Sequence, residues 1–237
     1  MKYRFMIAAP RSGSGKTCVS WGLMALLRSK GYEVQPFKCG PDYIDTKFHT
    51  AVCGHPSVNL DTFMASGEHV RNLYLRYGAG ADVCVVEGMM GLFDGYDRDR
   101  GSSAEIAATV GLPIVLVVDA HGAAWSLAAL IHGFTDFCRD ARVCGVIFNK
   151  VGGARHVEML SQICEELGLT CFGYIPKVGE SYDWNGFRFK VKEMDGVRIG
   201  KILVFKEVDN NDKRSRSVSH RKRQESAHQH PLGFTGG

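Results

Sequence analysis

Residues 9–17, Ala9-Pro10-Arg11-Ser12-Gly13-Ser14-Gly15-Lys16-Thr17, follow the apolar run Phe5-Met6-Ile7-Ala8 and precede a helix-like segment. Strand, Gly-rich turn and helix in that order restrict the fold sharply, because the turn must point backbone N–H groups inward just where a helix N-terminus opens. Glycines at 13 and 15 permit such a turn, Lys16 can bridge terminal phosphates, and the Thr17 hydroxyl can ligate Mg²⁺. The stretch reads as a phosphate-binding loop, with Ser12, Gly13, Ser14, Gly15, Lys16, Thr17 and Cys18 as its candidate binding residues. One feature departs from the pattern G-x-x-x-x-G-K-[ST]: the first glycine is replaced by Pro10.

Downstream, to about Pro176, short β-branched runs alternate with amphipathic stretches. This predicts an α/β fold of the P-loop NTPase type, a mainly parallel sheet with helices on both faces. Expected strands are Tyr3 to Ala9, Glu33 to Lys38, Val83 to Glu87, Ile114 to Asp119, Val143 to Asn149 and Thr170 to Tyr174. Expected helices are Lys16 to Lys30, Glu68 to Tyr77, Ser103 to Val110, Ala123 to Cys138 and His156 to Leu167, with Gly31, Gly111 and Gly168 at their C-terminal ends.

The chain of 237 residues, 45% of them hydrophobic, is long enough for a substantial core. Its longest apolar runs fall well short of the roughly 20 residues that span a bilayer, and no cleavable signal precedes the first strand. The expected location is the cytoplasm. The eight cysteines are scattered singly with no C-x-x-C pair, which fits small buried apolar residues in a reducing compartment better than a zinc site. Of the net charge of +4, most lies beyond Asp209, where Lys213, Arg214, Arg216, Arg221, Lys222 and Arg223 outnumber Asp209, Asp212 and Glu225. Basic character is thus a property of the tail, and no nucleic acid is expected at the catalytic part.

In open α/β sheets ligands gather beyond the carboxyl ends of the strands, so polar residues there are the first candidates for chemistry. Lys38-Cys39-Gly40-Pro41-Asp42-Tyr43-Ile44-Asp45 puts two acids just past the second strand, where one carboxylate can reach a metal and the other a substrate or a loop contact. Glu87 ends a fully apolar run and stands where a second carboxylate for Mg²⁺ would sit in a phosphoryl-transfer site. The Gly-rich segment from Gly88 to Gly95, which carries Asp94, follows it. Asn149 ends the fifth strand, and its amide suits either the edge of a purine base or a cap on the next turn.

Together with Asn59-Leu60-Asp61 and Asn149-Lys150-Val151-Gly152, these motifs resemble the cobyrinate a,c-diamide synthase family, within the P-loop group that also holds dethiobiotin synthetase. Proline at position 10 is usual in that family. The resemblance covers residues 1–176, an ATP-dependent amidoligase domain of the CobQ/CobB/MinD/ParA nucleotide-binding type. It implies that ATP phosphorylates a peripheral carboxylate of a cobyrinic acid-type corrin and that ammonia displaces the phosphate, at the c and a side chains in turn. By motif position, Lys16, Asp42 and Glu87 would be catalytic, Thr17, Asp42 and Glu87 would hold Mg²⁺, and Tyr43, Asp45 and Asp94 would position substrate. Asn149 joins the loop residues in binding ATP.

Members of the family also carry a glutaminase domain, and nothing here matches it. The implied ammonia source is free ammonium or a separate glutaminase, a homodimer is open to the fold, and no membrane partner is expected. Residues 177–207 alternate as a β-hairpin about Asp195-Gly196, and residues 176–204 resemble the last strands of the transporter-associated domain of CorC/HlyC-type proteins, as a fusion remnant would. Residues 208–237 read as a basic disordered tail. Two other readings share the fold: a MinD/ParA-like nucleotide-switch ATPase, for which Arg11 stands where such proteins place an extra lysine, and a fragment that binds ATP without turnover.

Overall fold

Successive side chains of a strand point to opposite faces, and this chain uses the alternation to build two cores from one sheet. The computed structural model describes residues 3–177 and 179, and the strand backbones of residues 181–184, 187–195 and 198–206. Seven strands, β1 (Tyr3–Ala8), β2 (Val34–Cys39), β3 (Val58–Leu60), β4 (Val83–Glu87), β5 (Ile114–Asp119), β6 (Val143–Val151) and β7 (Thr170–Pro176), form a sheet in the order β3-β2-β4-β1-β5-β6-β7. Every neighbouring pair is parallel. Met6, Phe37, Val86, Leu116 and Phe148 point to one face, which is covered by α3 (Gly67–Gly78), α4 (Ser103–Val110), α5 (Ser126–Asp136) and α6 (Ala154–Glu166). Ile7, Val34, Val85, Val115 and Ile147 point to the other, against α1 (Lys16–Ser29) and α2 (Asp45–Cys53). The expected class and helices on both faces are therefore present.

Two elements of residues 3–177 were not among the sequence expectations. The strand β3 has only three residues, too few for a period to show. The helix α2 owes its position to tertiary contact: Phe48 packs on Trp21 of α1 with ring centroids 4.5 Å apart, and Asp42 Oδ1 accepts from the N–H groups of Ile44 and Asp45 at 2.8 and 2.9 Å to start the helix. Gly31, Gly111 and Gly168 have φ of 85°, 69° and 64°, the left-handed conformation expected after a helix.

Beyond β7, β8 (Ser181–Trp184), β9 (Phe187–Asp195) and β10 (Arg198–Lys206) form a three-stranded antiparallel sheet in the order β10-β9-β8; the expected hairpin supplies β9 and β10, and the third strand, β8, was not expected. The tail of residues 208–237, expected to be disordered, lies outside the described residues. Among the described residues no helix is long and apolar enough to cross a membrane. All eight cysteines are free thiols, and Cys39, Cys53, Cys84 and Cys164 are buried.

Register fixes where the chemistry collects. Glu87 pairs with Ile7 on one side and with Lys38 on the other, so the ends of β1, β2 and β4 lie side by side directly beneath the loop at 9–17. Asp119 and Asn149 are likewise partners at the ends of β5 and β6.

Candidate functional site

The Gly-rich loop closes on a left-handed residue. Gly15 has φ 98° and ψ 16°, and a Cβ there would fall 2.3 Å from Asn149 Nδ2, so both conformation and space call for glycine. Asn149 Nδ2 donates to Ser14 O at 2.9 Å while its Oδ1 accepts from Lys150 N at 2.9 Å. Of its two sequence readings, a purine edge or a brace on the following turn, the geometry displays the second, extended across to the loop. Ser14 Oγ donates to Arg11 O at 3.0 Å. Ser12 and Gly13 are exposed on the rim, and Cys18 is half-buried in the first turn of α1.

Serines cap α3 and α4, whereas α1, like α2, α5 and α6, has no side-chain cap at its N-cap residue, and it starts behind Gly15. Its first N–H groups and its positive dipole end are left to meet an anion. Lys16 Nζ donates to Met90 O, which keeps the ammonium at the mouth of the loop. Burial, and then the neighbouring Lys38 charge, hold Lys16 below its ordinary value. These features fit a polyphosphate.

Behind the loop lies a buried charge cluster. Glu87, fully inaccessible to solvent, accepts from Thr17 Oγ1 at 2.7 Å and from Lys38 Nζ at 2.9 Å on Oε1, and faces His49 Nε2 at 2.7 Å on Oε2. Lys38 Nζ also donates to Asp45 Oδ2 at 2.7 Å. Burial alone would raise the Glu87 carboxyl, but the His49 bond and the Lys38 charge outweigh it and hold it at about 2. Lys38 is pushed down by burial and up by more from Glu87 and Asp45, ending above its ordinary value. The Thr17 hydroxyl and the Glu87 carboxylate, hard oxygen donors in contact at the loop, form a donor set that suits Mg²⁺.

The other site residues expected from sequence divide by position. Asp45 joins the cluster through Lys38. Asp42, three residues earlier, turns Oδ1 to the start of α2 and receives two backbone N–H bonds there. Tyr43 is 75% exposed at the rim. Asp94 Oδ2 accepts from Gly91 N at 2.8 Å and shapes the segment that passes over the loop. That segment is tied down elsewhere too, by Leu92 N donating to Ala9 O at 2.8 Å and by Ser103 Oγ accepting from Met89 N at 2.9 Å.

Sequence reasoning assigned no role to Lys38 or His49. For Lys38 a signal existed, a lysine at the end of a strand buried along its whole length. For His49 there was none, since the contact with Glu87 bridges 38 positions. Arg11 lies 3.7 Å from Asp119 of its own chain, and Asp119 also accepts from Lys150 Nζ at 2.7 Å.

Comparison with known proteins gives three results. A family model described as the CobQ/CobB/MinD/ParA nucleotide binding domain matches residues 5–185, and one described as a transporter associated domain matches residues 166–208. A cobyrinate a,c-diamide synthase of Caldanaerobacter subterraneus subsp. tengcongensis is 51% identical over 175 residues, 73% of this chain and 38% of the relative. A hydrogenobyrinate a,c-diamide synthase of Mycobacterium tuberculosis is 46% identical over 180 residues, 73% of this chain and 39% of the relative. Among solved structures, chloroplast FtsY from Physcomitrella patens has TM-score 0.51 at 17% identity over 86% of this chain and 62% of its own, a likeness of fold alone. The chain spans about two fifths of the length of the curated relatives it matches.

Proposed function

This chain belongs to the CobQ/CobB/MinD/ParA nucleotide-binding domain family, and from that premise we propose that it is an ATP-dependent carbon–nitrogen ligase domain acting on a cobyrinic or hydrogenobyrinic acid-type corrin. The observation that carries the proposal is the pair of buried lysines, Lys16 and Lys38, set beside Glu87 and Thr17 at the phosphate loop. A MinD/ParA-like switch carries its second cation in the loop, at the place Arg11 occupies here beside Asp119, whereas Lys38 stands outside the loop at the end of β2; a ligase must bring two anions together, a terminal phosphate and a carboxylate. Two ammonium groups supply the shielding that this requires.

In this reading the loop N–H groups and Lys16 bind the ATP phosphates, and Lys38 offsets charge where the substrate carboxylate approaches. Thr17 and Glu87, joined by Asp42, would hold Mg²⁺, which would neutralise phosphate charge. Tyr43, Asp45 and Asp94, at the rim and beside Lys38, orient the corrin side chain. A carboxylate oxygen attacks the γ-phosphorus, the P–O bond to ADP breaks, and an acyl phosphate forms. Ammonia then adds to the acyl carbon, phosphate leaves with the bond pair, and a proton is lost to give the amide. Ammonia is the nitrogen donor in this reading, and the compartment is the cytoplasm.

The test is mass spectrometry of cobyrinic acid incubated with the chain, MgATP and ammonium chloride. Mono- and then diamide are expected, with phosphate release that depends on the corrin. No amide, with phosphate release driven instead by DNA or by lipid vesicles, would overturn the ligase reading in favour of a switch ATPase. Nucleotide binding with no turnover under any of these conditions would identify a catalytically incomplete domain.

A further inference from the structure

Glu87 keeps its orientation through a contact that the proposed reaction does not use. His49 lies on α2 with no solvent exposure, its Nε2 2.7 Å from Glu87 Oε2 and its Nδ1 3.2 Å from Ser57 Oγ. The carboxylate is ionised and can only accept, so Nε2 carries the proton of that bond. The ring is held in turn: Ser57 N donates to Thr50 Oγ1 at 3.0 Å, and Thr50 Oγ1 donates to Thr46 O at 2.8 Å, both threonines lying on α2. A Glu terminal torsion is broad and roughly two-fold when nothing holds it. With Oε2 fixed by His49, Oε1 is turned to Thr17 and Lys38.

We propose that His49 is a positioning residue that locks the Glu87 carboxylate toward Thr17 and thereby sets the affinity of the site for Mg²⁺. The proposal rests on the reading that Thr17 and Glu87 hold the metal. Groups behind a ligand commonly govern metal affinity by orienting it, and their loss costs about 10–100-fold. Lys38, itself bound to Asp45, reaches Glu87 on Oε1, so it does not substitute for His49 at Oε2.

The experiment titrates binding of a fluorescent ATP analogue with Mg²⁺, and repeats it in EDTA, for the wild type, His49→Gln, His49→Met and Ser57→Ala. Glutamine can direct an amide N–H to Oε2; methionine, of similar length, cannot. His49→Met should raise the half-saturating Mg²⁺ concentration about 10–100-fold, Ser57→Ala by a smaller factor, and His49→Gln should restore most of the loss. Affinity in EDTA should be the same in all four. In a Glu87→Gln background, His49→Met should have no further effect on the Mg²⁺ requirement.

An unchanged Mg²⁺ requirement in His49→Met, equal losses in the Met and Gln variants, or additive losses in the Glu87→Gln background would each overturn the proposal and leave His49 a packing residue. If His49→Met does not fold, Ser57→Ala against the wild type, with His49→Gln alongside, carries the same comparison. A wild type whose nucleotide binding ignores Mg²⁺ would refute the metal reading itself, and this proposal with it, before any variant is compared.

Discussion

Glu87→Gln removes one negative charge from the most deeply buried part of the site and nearly preserves its shape. The carboxyl is held at about 2 against an ordinary value of 4.5, because the His49 bond and the Lys38 charge outweigh burial. At about 1.36 kcal/mol per unit, ionised Glu87 contributes about 3 kcal/mol to folding at pH 7. The folded value lies below the unfolded one, so this stability is fully present above pH 4.5 and is lost as pH falls through about 2. At pH 3 about 1 kcal/mol should remain by the same relation.

Glutamine does not titrate, so the stability gap between wild type and variant should narrow by about 2 kcal/mol from pH 7 to pH 3. Lys38 keeps Asp45 at 2.7 Å in the variant, which places the loss at pH 7 toward the lower end of the roughly 3–5 kcal/mol found when a buried ion pair loses one partner. Urea unfolding followed by circular dichroism at pH 7, 5, 4 and 3 measures the gap, and carboxylates common to both proteins cancel in the difference. A gap that stays constant across this range would refute the claim that an ionised Glu87 anchors the cluster.

Two further substitutions probe the loop. Gly15→Ala puts a Cβ 2.3 Å from Asn149 Nδ2 at φ 98°, so ATP affinity by equilibrium titration should fall more than about tenfold, the left-handed conformation alone costing roughly 1–2 kcal/mol; wild-type affinity would show that the loop does not bind nucleotide as described. Asn149→Ala removes the donor to Ser14 O and should weaken ATP binding several-fold and stability by about 1 kcal/mol, read by the same titration and by urea unfolding; if base identity changes the size of the loss, the amide contacts the purine after all.

The two-core sheet was legible because alternation is a local signal: Met6 and Ile7, or Val85 and Val86, are neighbours in sequence and belong to opposite faces. The loop was legible for the same reason, strand, glycines, lysine and helix being contiguous. What escaped depends on tertiary contact. The α2 segment carries polar residues on most of its length and rests on Trp21, and β3 is an edge strand that pairs only with β2 and packs on α3 through Leu60. Spacing showed that Asp42 and Asp45 lie near the site but not how they share its tasks. The backbone answers that: the two N–H bonds that Asp42 receives at the helix start leave Asp45 to meet Lys38. His49 is the extreme case, since its identity as a site residue exists only in the register that brings α2 over the end of β4.

The two lysines are held differently, and the difference orders events at the loop. Lys38 is bound to two carboxylates, and their charges raise its ordinary value despite burial. Lys16 has a neutral partner, the carbonyl of Met90, whose backbone stands at φ 44°, a conformation uncommon for any residue but glycine. Its charge is disfavoured by burial and by Lys38. A phosphate arriving at Lys16 therefore exchanges a neutral acceptor for an anionic one and relieves a disfavoured charge, whereas at Lys38 it would compete with Glu87 and Asp45. Under the ligase reading, nucleotide should engage Lys16 first, and Lys38 should stay with its carboxylates until a second anion enters. Ion pairing inside the cluster thus keeps the second ammonium preorganised for the carboxylate instead of spending it on the nucleotide.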